Sequence, residues 1–85
     1  MVVVRLPRFL AEQAGGVGRH QAEAATAAEA LRGLPVRDLL FDERGDLRPL
    51  VNVYVDGVDA RDRGGIEAPL AGAHEIRVVA AVAGG

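Results

Sequence analysis

Leu50-Val51-Asn52-Val53-Tyr54-Val55-Asp56-Gly57 is the stretch from which the fold can be read. Side chains alternate along a strand, so Val51, Val53 and Val55 share one face and Asn52 and Tyr54 the other. Asp56-Gly57 suits a type I′ hairpin turn, because both central positions of that turn need positive φ. The chain then returns through Val58-Asp59-Ala60. A hairpin with one apolar face needs a cover, and the flanking sequence must supply it. Downstream, Arg63-Gly64-Gly65 reads as a loop, and Ile66 to Leu70 as a short turn of helix interrupted by Pro69. Glu75 to Val82 predicts the last strand. Its Ile76, Val78, Ala80 and Val82 form one face, and Arg77, Val79, Ala81 and Ala83 the other. A half-buried sheet is polar on its second face, yet here that face is polar only at Arg77. Two readings follow. Either the strand is central and covered on both sides or that face is simply a small-residue surface, or else Val79 and Ala81 join Tyr54 in an exposed apolar patch that docks a partner. One helix covers only one sheet face in so small a domain, which favours the second.

Upstream, Val2 to Leu6 is β-branched and short and predicts a strand with Val2, Val4 and Leu6 on one face. Phe9 and Leu10 follow Pro7 and are expected to fold back onto the same core. Gly15-Gly16-Val17-Gly18 is a turn leading to a second strand around Arg19 to Ala24. Thr26-Ala27-Ala28-Glu29 has the form of a capping box, in which the threonine hydroxyl takes the Glu29 N–H and Glu29 reaches back. The helix runs through Ala30, Leu31 and Leu34, with Gly33 as a C-terminal stop and Pro35 blocking continuation. A second helical turn offers Val36, Leu39, Leu40 and Phe41 to the core. Asp42 to Asp46 is a polar loop. Two hairpins flanking a helix imply an α+β, β-grasp (ubiquitin-like) fold: a mixed sheet with one main helix on one face. The expected organisation is a domain over 1–82 and a flexible diglycine tail over 83–85.

Eighty-five residues suffice for one domain with a small core. Cysteine is absent, so a disulfide framework, a cysteine-ligated zinc and a cysteine nucleophile are excluded. All ten basic residues are arginine, so no lysine side chain is present to accept an isopeptide bond. The arginines are scattered and aromatics are few, which argues against a nucleic-acid partner. Neither a basic leader nor a membrane-length apolar run is present, so a cytoplasmic protein without a membrane partner is expected. His20 and His74 stand far apart, so no metal site is expected. Serine is also absent, and Thr26 is engaged as a cap. Gly15-Gly16-Val17-Gly18 lacks the Lys-Ser/Thr of a phosphate loop. A catalytic site of the chain's own is therefore not expected.

The distinctive chemistry lies in Ala81-Val82-Ala83-Gly84-Gly85. No Cβ shields the Gly85 carboxylate, and glycine accepts dihedrals closed to other residues. Residues 82–85 reach roughly 13 Å when extended, enough to thread a narrow channel in a second protein.

With those residues in view, the chain resembles the ubiquitin-like sulfur carrier proteins of the MoaD/ThiS family. The resemblance spans essentially the whole chain. It is strongest at Leu50 to Gly57, Asp59-Ala60-Arg61, Gly65-Ile66 and Ala81 to Gly85, and Leu6-Pro7-Arg8-Phe9-Leu10 with Gly15-Gly16 is similar to the branch serving cysteine biosynthesis and related thio-transfer. Gly72-Ala73-His74 and Ala80 depart from common family residues. The resemblance implies a carrier that is not itself an enzyme. An E1-like adenylyltransferase of the MoeB/ThiF type uses ATP to adenylate Gly85, and a sulfur donor displaces AMP to leave a thiocarboxylate. A sulfur-accepting biosynthetic enzyme, for cysteine, thiamin or a thiolated natural product, then takes the sulfur. Ala83, Gly84 and Gly85 would thread the partner's active site while Tyr54, Val79 and Ala81 dock its surface. The free carrier would bind no cofactor or metal and be monomeric. The alternatives are the small subunit of molybdopterin synthase and a ubiquitin-like protein modifier.

Overall fold

The computed structural model describes residues 1–80. Its elements, in order, are β1 (Val2–Arg5), α1 (Arg8–Gln13), β2 (Arg19–Ala22), α2 (Ala27–Arg32), α3 (Arg37–Leu40), β3 (Val51–Val55), β4 (Val58–Asp59), a 3-10 turn (Ala60–Arg63) and β5 (Glu75–Ala80). The five strands form one mixed sheet in the order β2-β1-β5-β3-β4. β5 runs parallel to β1 and antiparallel to β3, which places it at the centre. This is the β-grasp arrangement.

The hairpin after β3 forms as its sequence requires. Asp56 and Gly57 take φ of 48° and 82°, and Tyr54 and Val55 pair with Asp59 and Val58. Val53 and Val55 are buried, together with Val2, Val4, Ile76 and Val78 from the same face of the neighbouring strands. Leu10, Ala27, Ala30, Leu31, Leu34, Leu40 and Phe41 close over them to make one core. A fully buried leucine or valine in such a layer contributes about 1.5–3 kcal/mol by the surface it removes from water. The helices sit on this face alone. Ile76 and Val78 are 0% and 2% exposed, whereas Val79 is 41% exposed. β5 is therefore central but covered on one side, and the double-covered reading is wrong.

Two segments depart from expectation. Residues 8–13 form a helix that the sequence reading missed, with Pro7 at its N-cap and the Ala11 N–H donating to Pro7 O. Successive residues on a helix point about 100° apart, so Leu10 enters the core at 2% exposure while Phe9 is 41% exposed. The expectation that both would pack inward fails for Phe9. Ile66 to Leu70 is a turn, not a helix. Its backbone is used elsewhere: the Ala28 N–H donates to Ile66 O and the Leu70 N–H to Ala25 O, both at 2.9 Å. The segment thus straps the start of α2 instead of bonding to itself.

α2 begins at Thr26, whose hydroxyl accepts from the Glu29 N–H at 3.1 Å. The reciprocal arm lands one residue earlier than the capping box implies, with the Ala25 N–H donating to Glu29 Oε2 at 3.5 Å. Gly33 ends the helix in an ordinary right-handed conformation. Residues 81 and 82 of the expected last strand, and the boundary between 82 and 83, lie outside the described residues.

Candidate functional site

β5 carries the chain toward residues 81–85, so its supports define the site. At its start, the Asp56 carboxylate accepts from the His74 and Glu75 N–H groups, with the Glu75 bond to Oδ1 at 2.9 Å. The Asp56 N–H in turn donates to Glu75 O at 2.9 Å. The hairpin turn is thereby tied to the start of β5. The Glu75 amide, then the His74 amide and the charges of His74 and Arg63, hold the Asp56 carboxyl below its ordinary range.

At its far end β5 has one neighbour. Pairing with β1 stops at Arg5 opposite Arg77, while pairing with β3 continues to Asn52 opposite Val79 and Val51 opposite Ala80. Asn52, Tyr54, Arg77 and Val79 consequently share the helix-free face, with Tyr54 directly opposite Arg77. Tyr54 is half-buried and Val79 exposed. The structure places these two expected docking residues one diagonal step apart. Ala81, and the tail residues Ala83, Gly84 and Gly85, lie outside the described residues.

The open face is more charged than the sequence reading expected. β1 and β2 contribute Arg5, Arg19 and Gln21 to it, and β5 contributes Glu75 and Arg77. β4 contributes Asp59. Arg61 clamps Asp59 through Nη2 to Oδ2 at 2.7 Å and Nε to Oδ1 at 3.1 Å. That pair lowers the Asp59 pKa and raises that of Arg61. Val79 is thus an apolar point in a polar field, not the centre of a broad apolar patch.

A wider apolar surface sits on the other side of the same strand end. Phe9, Leu39 and Leu50 are all exposed. With Leu10, Pro49 and Ala80 they line a concavity of about 420 Å³. The sequence reading missed it. A helix over residues 8–13 separates Phe9 from Leu10, but six residues are too few for that period to show in the sequence.

No group of three or more histidine, aspartate or glutamate side chains that could hold a metal is found among the described residues. His20 Nε2 lies 2.8 Å from Val17 O, and the His74 N–H is bound to Asp56. The chemistry on offer is therefore a docking surface around a strand end.

The sequence profile of the ThiS family matches residues 4–85. Among solved structures, the Amycolatopsis orientalis BexX/CysO complex contains a chain 30% identical to this one, with a TM-score of 0.80 and full coverage of both chains. Mycobacterium tuberculosis CysO, described as an antigen, is 26% identical at a TM-score of 0.80, over 96% of this chain and 100% of its own. SAMP1 from Haloferax volcanii is 25% identical at a TM-score of 0.82, over 99% of this chain and 98% of its own. No curated protein matches the chain in sequence.

Proposed function

The chain belongs to the ThiS family, and on that premise we propose that it is a sulfur carrier whose reactive group is the Gly85 carboxylate. A free carboxylate is a poor electrophile. An E1-like partner would let a carboxylate oxygen attack the α-phosphorus of ATP, releasing pyrophosphate and leaving an acyl-adenylate. A sulfide-equivalent donor then attacks the acyl carbon, AMP departs with the C–O electron pair, and a thiocarboxylate remains. A biosynthetic enzyme takes that sulfur. The carrier supplies the address and consumes no cofactor of its own.

One observation carries this reading: the family match runs through the diglycine, and the central strand of the sheet leads into that segment. A partner acting at Gly85 must approach the end of β5. Val79 on one side and the Phe9, Leu39 and Leu50 surface on the other give it apolar ground there. That CysO is found in a complex with BexX supports recognition of such a body by a second protein.

The test is intact mass. Incubation with ATP, the E1-like partner and a sulfide source should replace one oxygen by one sulfur, localised to Gly85. An unchanged mass after complete ATP turnover would count decisively against the proposal.

The likeness to SAMP1, whose counterpart from Methanosarcina acetivorans is named a small archaeal modifier protein, supports a second reading. In it, Gly85 forms an amide with lysines of other proteins. High-mass adducts in cell extracts that vanish on deletion of Gly85 would favour that reading over sulfur transfer.

A further inference from the structure

The strand register draws three arginines into one transverse line on the open face. Arg19 of β2 lies opposite Arg5 of β1, and Arg5 lies beside Arg77 of β5. Neighbouring strands are about 4.8 Å apart, so the three side chains rise within roughly 10 Å. One carboxylate serves two of them: Glu75 is 2.8 Å from Arg5 and 3.8 Å from Arg77. Arg19 has no carboxylate partner among the described residues. Elsewhere Arg8, Arg32, Arg37 and Arg61 each face an acidic residue, Arg48 and Arg63 donate to backbone carbonyls, and Arg44, in the 42–46 loop, likewise shows no carboxylate partner among the described residues.

Like charges set opposite one another on adjacent strands weaken the pairing. The chain as a whole carries a net charge of -2, so the row reverses the molecule's overall sign in one place. Glu75 offsets only part of that repulsion, and a further anionic neighbour would offset the rest.

We propose that the line Arg19–Arg5–Arg77 docks an acidic protein surface, carried by the enzyme that acts on Gly85; this rests on the sulfur-carrier reading. Arg77 precedes Gly85 by eight residues, a span of at most about 29 Å, so one enzyme can hold the row and receive the terminus. The neighbouring charges favour a protein over a polyanion. Glu75 lies beside the row, two residues along β5 from Arg77, and Asp59 stands beyond the row past Tyr54. A long phosphate backbone would run past so short a row onto a net negative body, whereas an acidic patch on a protein can match the row's few cations.

The variants are Arg19→Gln, Arg77→Gln and the double variant, with the E1-like adenylating enzyme as probe. Association rates are measured across ionic strength, and thermal midpoints alongside. The wild type should associate faster at low salt. The double variant should associate about tenfold more slowly there, with a flattened salt dependence and a similar dissociation rate. Its thermal midpoint should be unchanged or higher. Arg77→Lys should restore most of the rate lost in Arg77→Gln. Arg19 is on an edge strand, so Arg19→Gln reads the effect even if the double variant is poorly folded. If the wild type is thiocarboxylated and the variants keep its association rate, the row proposal is overturned and the carrier reading stands. If the wild type neither binds nor is adenylated, both fall. Binding of duplex DNA or phosphatidylserine vesicles that is lost in the variants, with enzyme association intact, also overturns the assignment.

Discussion

Asp56 sits at φ 48° in the turn after β3 and uses its carboxylate on the backbone of another strand. The sequence marked it as a turn residue, because Asp-Gly tolerates positive φ. Its second task was not legible, since the partners lie 18 and 19 positions away. Its folded pKa is lowered from 3.8. The stabilisation is therefore present above the unfolded value and is lost as pH falls through the folded one. Asp56→Ala should lower the urea midpoint at neutral pH. The gap from wild type should close at strongly acidic pH, and Asp56→Asn should fall between the two. At Val79 the sequence allowed either core or surface, and 41% exposure decides for surface. Val79→Asp should cost less than about 1 kcal/mol of stability while weakening association with the activating enzyme. Calorimetry and binding on the same sample separate the two effects.

The elements with a strong local signal were the legible ones. β3 carried a clean alternation and its own turn. The start of α2 carried Thr26 and Glu29, and the structure has the Thr26 hydroxyl bonded to the Glu29 N–H. Thr26→Ala should lower stability by about 1 kcal/mol through loss of that cap, read as a shift in denaturant midpoint without change in slope. α1 was not legible because six residues give too few turns for an apolar period to show. The segment Ile66–Leu70 was misread because its apolar ends suggest a helix. The competing use of its backbone, to bond Ala25 and Ala28, depends on residues 45 and 38 positions earlier. Local pattern reports what a segment can bond within itself, and both failures concern segments whose role is fixed by distant neighbours.

At the scale of the molecule, the order of strands and helix was enough to give the β-grasp topology, because few arrangements bury two hairpin faces under one helical layer. The candidate site was legible in part. Tyr54 and Val79 share a face as the alternation implied, but the arginine row needs the register between β2, β1 and β5, which no single segment specifies. If Gly85 must present a free carboxylate, a tag appended after it should abolish adenylation, followed as ATP–pyrophosphate exchange. The circular dichroism spectrum and melting curve should stay unchanged. The central position of β5 has a consequence for the history of each molecule. Within the sheet, β1–β2 and β3–β4 are joined only through β5, and β1 and β5 are separated by most of the chain. Isolated two-stranded hairpins are marginal in water, and so distant a pairing closes late in folding. A chain cut within residues 75–80 therefore keeps both hairpins on one fragment but loses the strand that joins them into one sheet. A carrier nicked at this strand should be digested faster than the intact chain, so that the molecules left after limited proteolysis are those whose terminus is still joined to the sheet.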